Sequence, residues 1–167
     1  MDKYFSQTLS HASTLLSKGD INAAINIFDT LAIKYPKNSD VMHMKAFACS
    51  QSNNIEGAIS SFKNALELSP KNNNVLLDYC NFLNTIGKKK EAYIILREKI
   101  NNKNDFRLYF LQGCLEMDLN KLEYAIESFK KVLSLNPNHK DAAFNIGFLY
   151  YNNRNFVLAE KVFKAYI

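Results

Sequence analysis

Apolar residues recur along this chain at spacings of three and four, as in Ile21, Ala24, Ile25 and Phe28. That spacing gives an amphipathic α-helix with one buried face. The pattern then repeats at a longer interval. Alanines stand at Ala24, Ala58, Ala92, Ala125 and Ala159, separated by 34, 34, 33 and 34 residues. Four residues after each comes a large apolar side chain: Phe28, Phe62, Leu96, Phe129 and Phe163. Twelve residues before each comes a small one: Ala12, Ala46, Cys80, Gly113 and Gly147. Twelve residues after three of them comes a proline: Pro36, Pro70 and Pro137. Columns held in register over five copies mark an internal repeat, and a period of this length points to a stacked array of small units.

One unit reads as two helices joined by a tight turn. The small residue of the first helix and the alanine of the second let two backbones approach, and the large residue fills the space beside them. Between the two helices stands Gly19, Asn53, Gly87 or Asn120, residue types that tolerate the left-handed conformation ending a helix. Asn120, followed by Glu123, has a competing role as the cap of the next helix. Proline ends the second helix because it cannot continue one and restricts the residue before it.

With these columns, over about residues 5 to 167, the chain resembles the tetratricopeptide repeat family. The resemblance implies an all-α fold, a right-handed α-solenoid of tandem antiparallel helical hairpins. First helices would line its concave face and second helices its convex face. The expected organisation is one array over residues 1–167, with repeats near 5–38, 39–72, 73–105, 106–139 and 140–167, the last incomplete.

The chain departs from the pattern in places. The slot for a large aromatic early in the first helix holds Thr8, Met42, Leu76, Tyr109 and Ala143, and the chain has no Trp. The third repeat is one residue short, with Asn104 where others have Pro and Lys99 where a small or apolar residue is usual. A change of curvature is expected at its junction, Asn101 to Asp105. Gln112 and Glu116 sit four apart on one helix face, in slots that should pack against the second helix. Because an unpaired buried carboxylate is costly, the expectation is a slightly rotated helix that leaves Glu116 half wet. The fifth repeat stops inside its second helix, so Val162, Phe163 and Tyr166 are expected to be partly uncovered. Either the native chain continues past Ile167, or another copy covers this end and makes a homodimer.

Composition changes this picture little. Net charge is +5, and the one basic run, Lys88 to Lys90, falls at a turn. Lysine is scattered rather than gathered on a stripe, so no nucleic-acid partner is expected. No stretch approaches the roughly 20 apolar residues of a membrane helix, and the start has no apolar signal core. No membrane partner is expected, and the expected location is cytoplasmic. Cys49, Cys80 and Cys114 fall inside helices without a paired spacing and read as small buried residues. His11, His43 and His139 lie far apart, so neither a metal nor a cofactor is expected.

No phosphate loop, nucleophile elbow or zinc-protease motif occurs, and Glu56, Glu67, Glu91, Glu98 and Glu127 read as solvated. The chain therefore reads as a scaffold and not an enzyme. The resemblance implies protein-protein interaction, with a partner's protein or peptide segment held in the concave groove. Candidate groove residues are His43, Phe47, Asn74, Leu77, Asn81, Arg107, Phe110, Phe144 and Phe148. Aromatics give large contact area and Asn pairs with peptide backbone; the competing role for Phe47, Phe110 and Phe148 is packing between repeats. Changing Phe110 and Phe144 to Ala is expected to weaken binding and spare helicity. The slots used by relatives that clamp a chaperone's carboxyl tail do not hold the clamp residues here, and of the slots of an asparagine ladder only Asn145 fits. The alternative reading is the N-terminal arm of a longer enzyme, such as a glycosyltransferase, with its catalytic domain beyond residue 167.

Overall fold

The computed structural model describes residues 3–100 and 104–166. Ten α-helices run through these residues: α1 Lys3–Lys18, α2 Ile21–Lys34, α3 Ser39–Gln51, α4 Ile55–Leu68, α5 Asn73–Thr85, α6 Lys89–Lys99, α7 Phe106–Asp118, α8 Leu122–Leu135, α9 Lys140–Asn152 and α10 Phe156–Tyr166. No strand occurs among the described residues. The fold is all-α, built of consecutive helical hairpins. By compactness the chain divides into two units, Met1–Val75 and Leu76–Ile167.

The first unit is centred on Ala12, Leu16, Ala24, Phe28, Leu31 and Val41, all buried, with Phe5 closing one end. Phe5 meets the ring of Tyr35 edge-on at 4.8 Å. The core of the second unit gathers Ala125, Phe129, Val132, Ala142, Ile146 and Leu149. All five repeat alanines are buried, as are all five small residues facing them. Phe28, Phe62, Leu96 and Phe129 are buried as well, and Phe163 is half-buried.

The hairpin turns follow one design. In each, the N–H five residues on donates to a carbonyl in the last turn of the first helix: Asp20 to Leu15, Asn54 to Cys49, Lys88 to Leu83, Lys121 to Glu116 and Asn155 to Tyr150, at 2.8–2.9 Å. This is a Schellman closure, which needs a left-handed residue just before the donor. Gly19, Asn53, Gly87 and Asn120 supply it, with φ of 86°, 59°, 79° and 56°. Asn120 therefore ends α7 and does not cap α8, whose N-cap is Lys121. The fifth turn uses Arg154 at φ 57°, an outlier for a long side chain.

The prolines lie where the second helices have stopped, after Lys34, Leu68 and Leu135. Two residues beyond each proline is a further column that starts the next first helix. Asn38 Oδ1 accepts from the N–H groups of Asp40 and Val41 at 3.0 and 3.1 Å. Asn72 does the same for Asn74 and Val75, Asp105 for Arg107, and His139 through Nδ1 for Ala142 at 3.3 Å. Most of the junction expected to change curvature, residues 101–103, lies outside the described residues.

Glu116 corrects the sequence reading. It is 1% exposed, not half wet. Gln112 Nε2 donates to its Oε1 at 2.8 Å and Ser128 Oγ to its Oε2 at 2.6 Å. A buried carboxylate is tolerable when its oxygens are hydrogen-bonded, and Ser128, on the facing helix, is the partner that local spacing did not reveal.

Candidate functional site

The first helices of the second unit place several of the candidate residues around one pocket of about 380 Å³. From α5 come Leu77, Asn81 and Asn84; from α7 come Phe106, Arg107, Phe110, Leu111 and Cys114; His139 closes it from the start of α9. The spacing explains the assembly: 77, 81 and 84 share one helix face, as do 107, 110, 111 and 114.

The wall is aromatic where it is most enclosed. The His139 ring stacks on Phe110 at 4.7 Å and 29° and meets Phe106 edge-on at 5.5 Å. Phe110 also touches the buried ring of Phe129, at 5.6 Å. The imidazole is held in place by capping α9, since its Nδ1 accepts the Ala142 N–H at 3.3 Å.

The polar groups differ in how they are satisfied. Arg107 is engaged: Nε donates to Asp105 Oδ1 at 2.9 Å and Nη2 to Oδ2 at 2.8 Å. This bond to Asp105 raises the Arg107 pKa further above its usual value. Asn84 is different. Its Oδ1 is buried with no donor among the described residues. Cys114 is a thiol in this environment: burial, then the charges of Asp118 and Asp141, push its pKa up to about 11. A protonated thiol is a poor nucleophile.

Of the nine sequence candidates, Leu77, Asn81, Arg107 and Phe110 meet at this pocket. Asn74 is exposed at the start of α5. His43 and Phe47 belong to the first unit, where His43 leans on Phe62 at 6.0 Å and Phe47 is 45% exposed. Phe144 and Phe148 stack on each other along α9 at 6.3 Å and 14°, both open to solvent. Phe47 and Phe148 are thus partly exposed, whereas Phe110 both packs against Phe129 and lines the pocket. Phe106 and His139 were not singled out as lining residues. The cap column described above would have found His139. Among the described residues no group of three or more His, Cys, Asp or Glu is placed to hold a metal ion, and no helix is long and apolar enough to cross a membrane.

Solved structures of similar fold cover almost the whole chain. A crystal structure of MamA protein superposes with a TM-score of 0.83 at 21% identity, covering 99% of this chain and 91% of that one. PilF of Pseudomonas aeruginosa gives 0.79 at 22%, covering 96% and 74%. YrrB, described as a TPR protein with an unusual peptide-binding site, gives 0.75 at 20%, covering 95% and 82%. At these identities the likeness is one of fold. A comparison with curated proteins finds no match. Two family profiles match the sequence: TPR repeat over residues 113–153, and Coatomer epsilon subunit over residues 8–94, which is 87 of the 167 residues. The chain belongs to the tetratricopeptide repeat family and, through residues 8–94, to the coatomer epsilon subunit family.

Proposed function

We propose that this chain is a protein-interaction scaffold, a single array over residues 1–167, and that the pocket between α5 and α7 takes a side chain of a partner's extended segment. Asn84 carries this reading. A buried polar oxygen without a donor costs stability, and a turn of the Asn84 side chain into the pocket lets a peptide N–H supply the missing donor. The lining fits the rest of the task, with Phe106, Phe110, Leu111 and Leu77 for an apolar anchor and Asn81 at the open edge. A pocket of a few hundred Å³, mostly apolar with a few polar groups, is the usual form of a recognition site. The peptide-binding site of YrrB, a protein of the same fold, is consistent with this role.

Random linear dodecapeptides displayed on phage test it. Selection on the wild-type chain should yield peptides that bind in solution and lose binding to Asn81→Trp, whose indole fills the pocket mouth. Asn81 is exposed, so this variant should keep its circular dichroism and melting temperature. Peptides that bind Asn81→Trp as well as wild type would move the site elsewhere.

A further inference from the structure

We infer that the segment held at this pocket is basic: beside its apolar anchor it carries a lysine or arginine that lies over Phe144 against Asp141. This rests on the pocket reading above and adds the chemistry of the ligand.

The charges about the pocket are unevenly spent. Arg107 is held by Asp105 through two hydrogen bonds. Lys89 is paired with Asp118. His139 accepts the Ala142 N–H at Nδ1. Asp78 adds its field to that of Asp105 on Arg107. Asp141 is exposed in the first turn of α9, and its charge reaches the Cys114 thiol in the pocket wall. Lys140 is exposed as well, but consecutive residues point about 100° apart on a helix. Four carboxylates, Asp78, Asp105, Asp118 and Asp141, thus stand against three cations, of which Arg107 and Lys89 are already engaged. In a protein with net charge +5, this edge is locally acidic.

The aromatic surface beside Asp141 suits the same ligand. Residues 141, 144 and 148 are spaced by three and four and share one face of α9. Phe144 is 52% and Phe148 42% exposed, with rings nearly parallel. An exposed ring face attracts a cation, and arginine also stacks on it. Partner carboxylates are disfavoured at the same place. The charge pattern therefore chooses among extended segments by sign, while the pocket chooses by apolar shape.

The phage selection is read for charge. Peptides whose binding falls with Asn81→Trp should be enriched in Lys and Arg next to an apolar residue. Synthetic versions should bind Asp141→Asn and Phe144→Ala each about two- to fivefold more weakly, the range of an exposed ion pair or cation–ring contact, and should weaken with salt. Selection on Asp141→Lys should shift the enrichment toward Asp and Glu. If that variant melts early, Asp141→Asn alone carries the comparison. Pocket-dependent peptides that are neutral or acidic, or that ignore Asp141→Asn, would overturn this inference and leave the pocket reading intact. If no peptide is selected, or binding ignores Asn81→Trp, both fall.

Discussion

A Cβ built on Gly113 lies 2.7 Å from Cε1 of Phe129 and 2.8 Å from its Cζ. The ring is fully buried, so it has little room to yield. The third repeat solves the same contact differently, with Cys80 facing the smaller Leu96, and Cys80 Sγ lies 3.6 Å from the Ala92 carbonyl. The two columns of the repeat are coupled by volume. Gly113→Cys should cost about 1–3 kcal/mol as an overpacking change. In the background of Phe129→Leu it should cost clearly less. A urea double-mutant cycle should show a coupling of at least about 0.5 kcal/mol; strict additivity would mean the helices simply move apart.

The Glu116 network makes a second, asymmetric expectation. Ser128→Ala removes the donor to Glu116 Oε2 and leaves a buried carboxylate oxygen unpaired. That should destabilise by about 1–3 kcal/mol. Glu116→Leu combined with Ser128→Ala removes both sides, and Gln112, half-buried, can turn to water. The double variant should therefore be more stable than Ser128→Ala alone. Chemical denaturation of the pair decides it, and a double variant weaker than the single would show that the carboxylate itself is a net stabiliser.

Arg154 occupies a conformation that the other four turns give to Gly or Asn. For a long side chain this costs roughly 1–2 kcal/mol. Arg154→Gly should raise stability by a substantial part of that, and Arg154→Asn by somewhat less. Gly87→Ala, the reverse change at φ 79°, should lower it by about 1 kcal/mol. Melting temperatures of the three variants check the sign of each.

Burial pushes the Cys80 thiol from 9.0 up to about 12. The folded chain thus keeps this proton where the unfolded chain has lost it. Stability is fully present below pH 9 and falls as pH rises toward 12, by at most about 1.4 kcal/mol per pH unit from this group. Tyr79, raised to about 12 mainly by burial, acts in the same direction above pH 10. The other repeats carry Ala or Gly at the Cys80 slot, so Cys80→Ala should fold and should lose less stability than wild type between pH 9 and 11. Equal slopes would show that the thiol does not stay protonated in the folded chain.

Much of the fold was legible because the columns are steric. A backbone contact that admits only Ala12, Ala46, Cys80, Gly113 or Gly147 writes itself into the sequence at a fixed period, and so does a turn needing a left-handed residue. Arg154 escaped because it violates the turn's preference. Ser128 escaped because its partner Glu116 is twelve positions away on another helix, and only the hairpin brings them together. The pocket was half legible for a related reason. Leu77, Asn81, Arg107 and Phe110 follow from helix faces, whereas His139 enters from the turn before α9, where its ring is fixed by capping and by Phe110.

Phe110 and Phe144 looked equivalent in the sequence, one repeat apart on successive first helices, and the structure separates them. Phe110 is half-buried between His139 and Phe129, so its loss removes packing as well as pocket wall. Phe110→Ala should cost stability in the range of a partly buried aromatic, about 2–4 kcal/mol, toward the lower end of core values. Phe144 is 52% exposed, and Phe144→Ala should change stability by less than about 1 kcal/mol. The informative comparison is therefore binding of a pocket-selected peptide at a temperature where both variants remain folded by circular dichroism. Weakened binding by Phe144→Ala at unchanged stability assigns that ring to the ligand. Weakened binding by Phe110→Ala alone, in step with its lower melting temperature, would restrict the site to the pocket and leave the α9 face outside it.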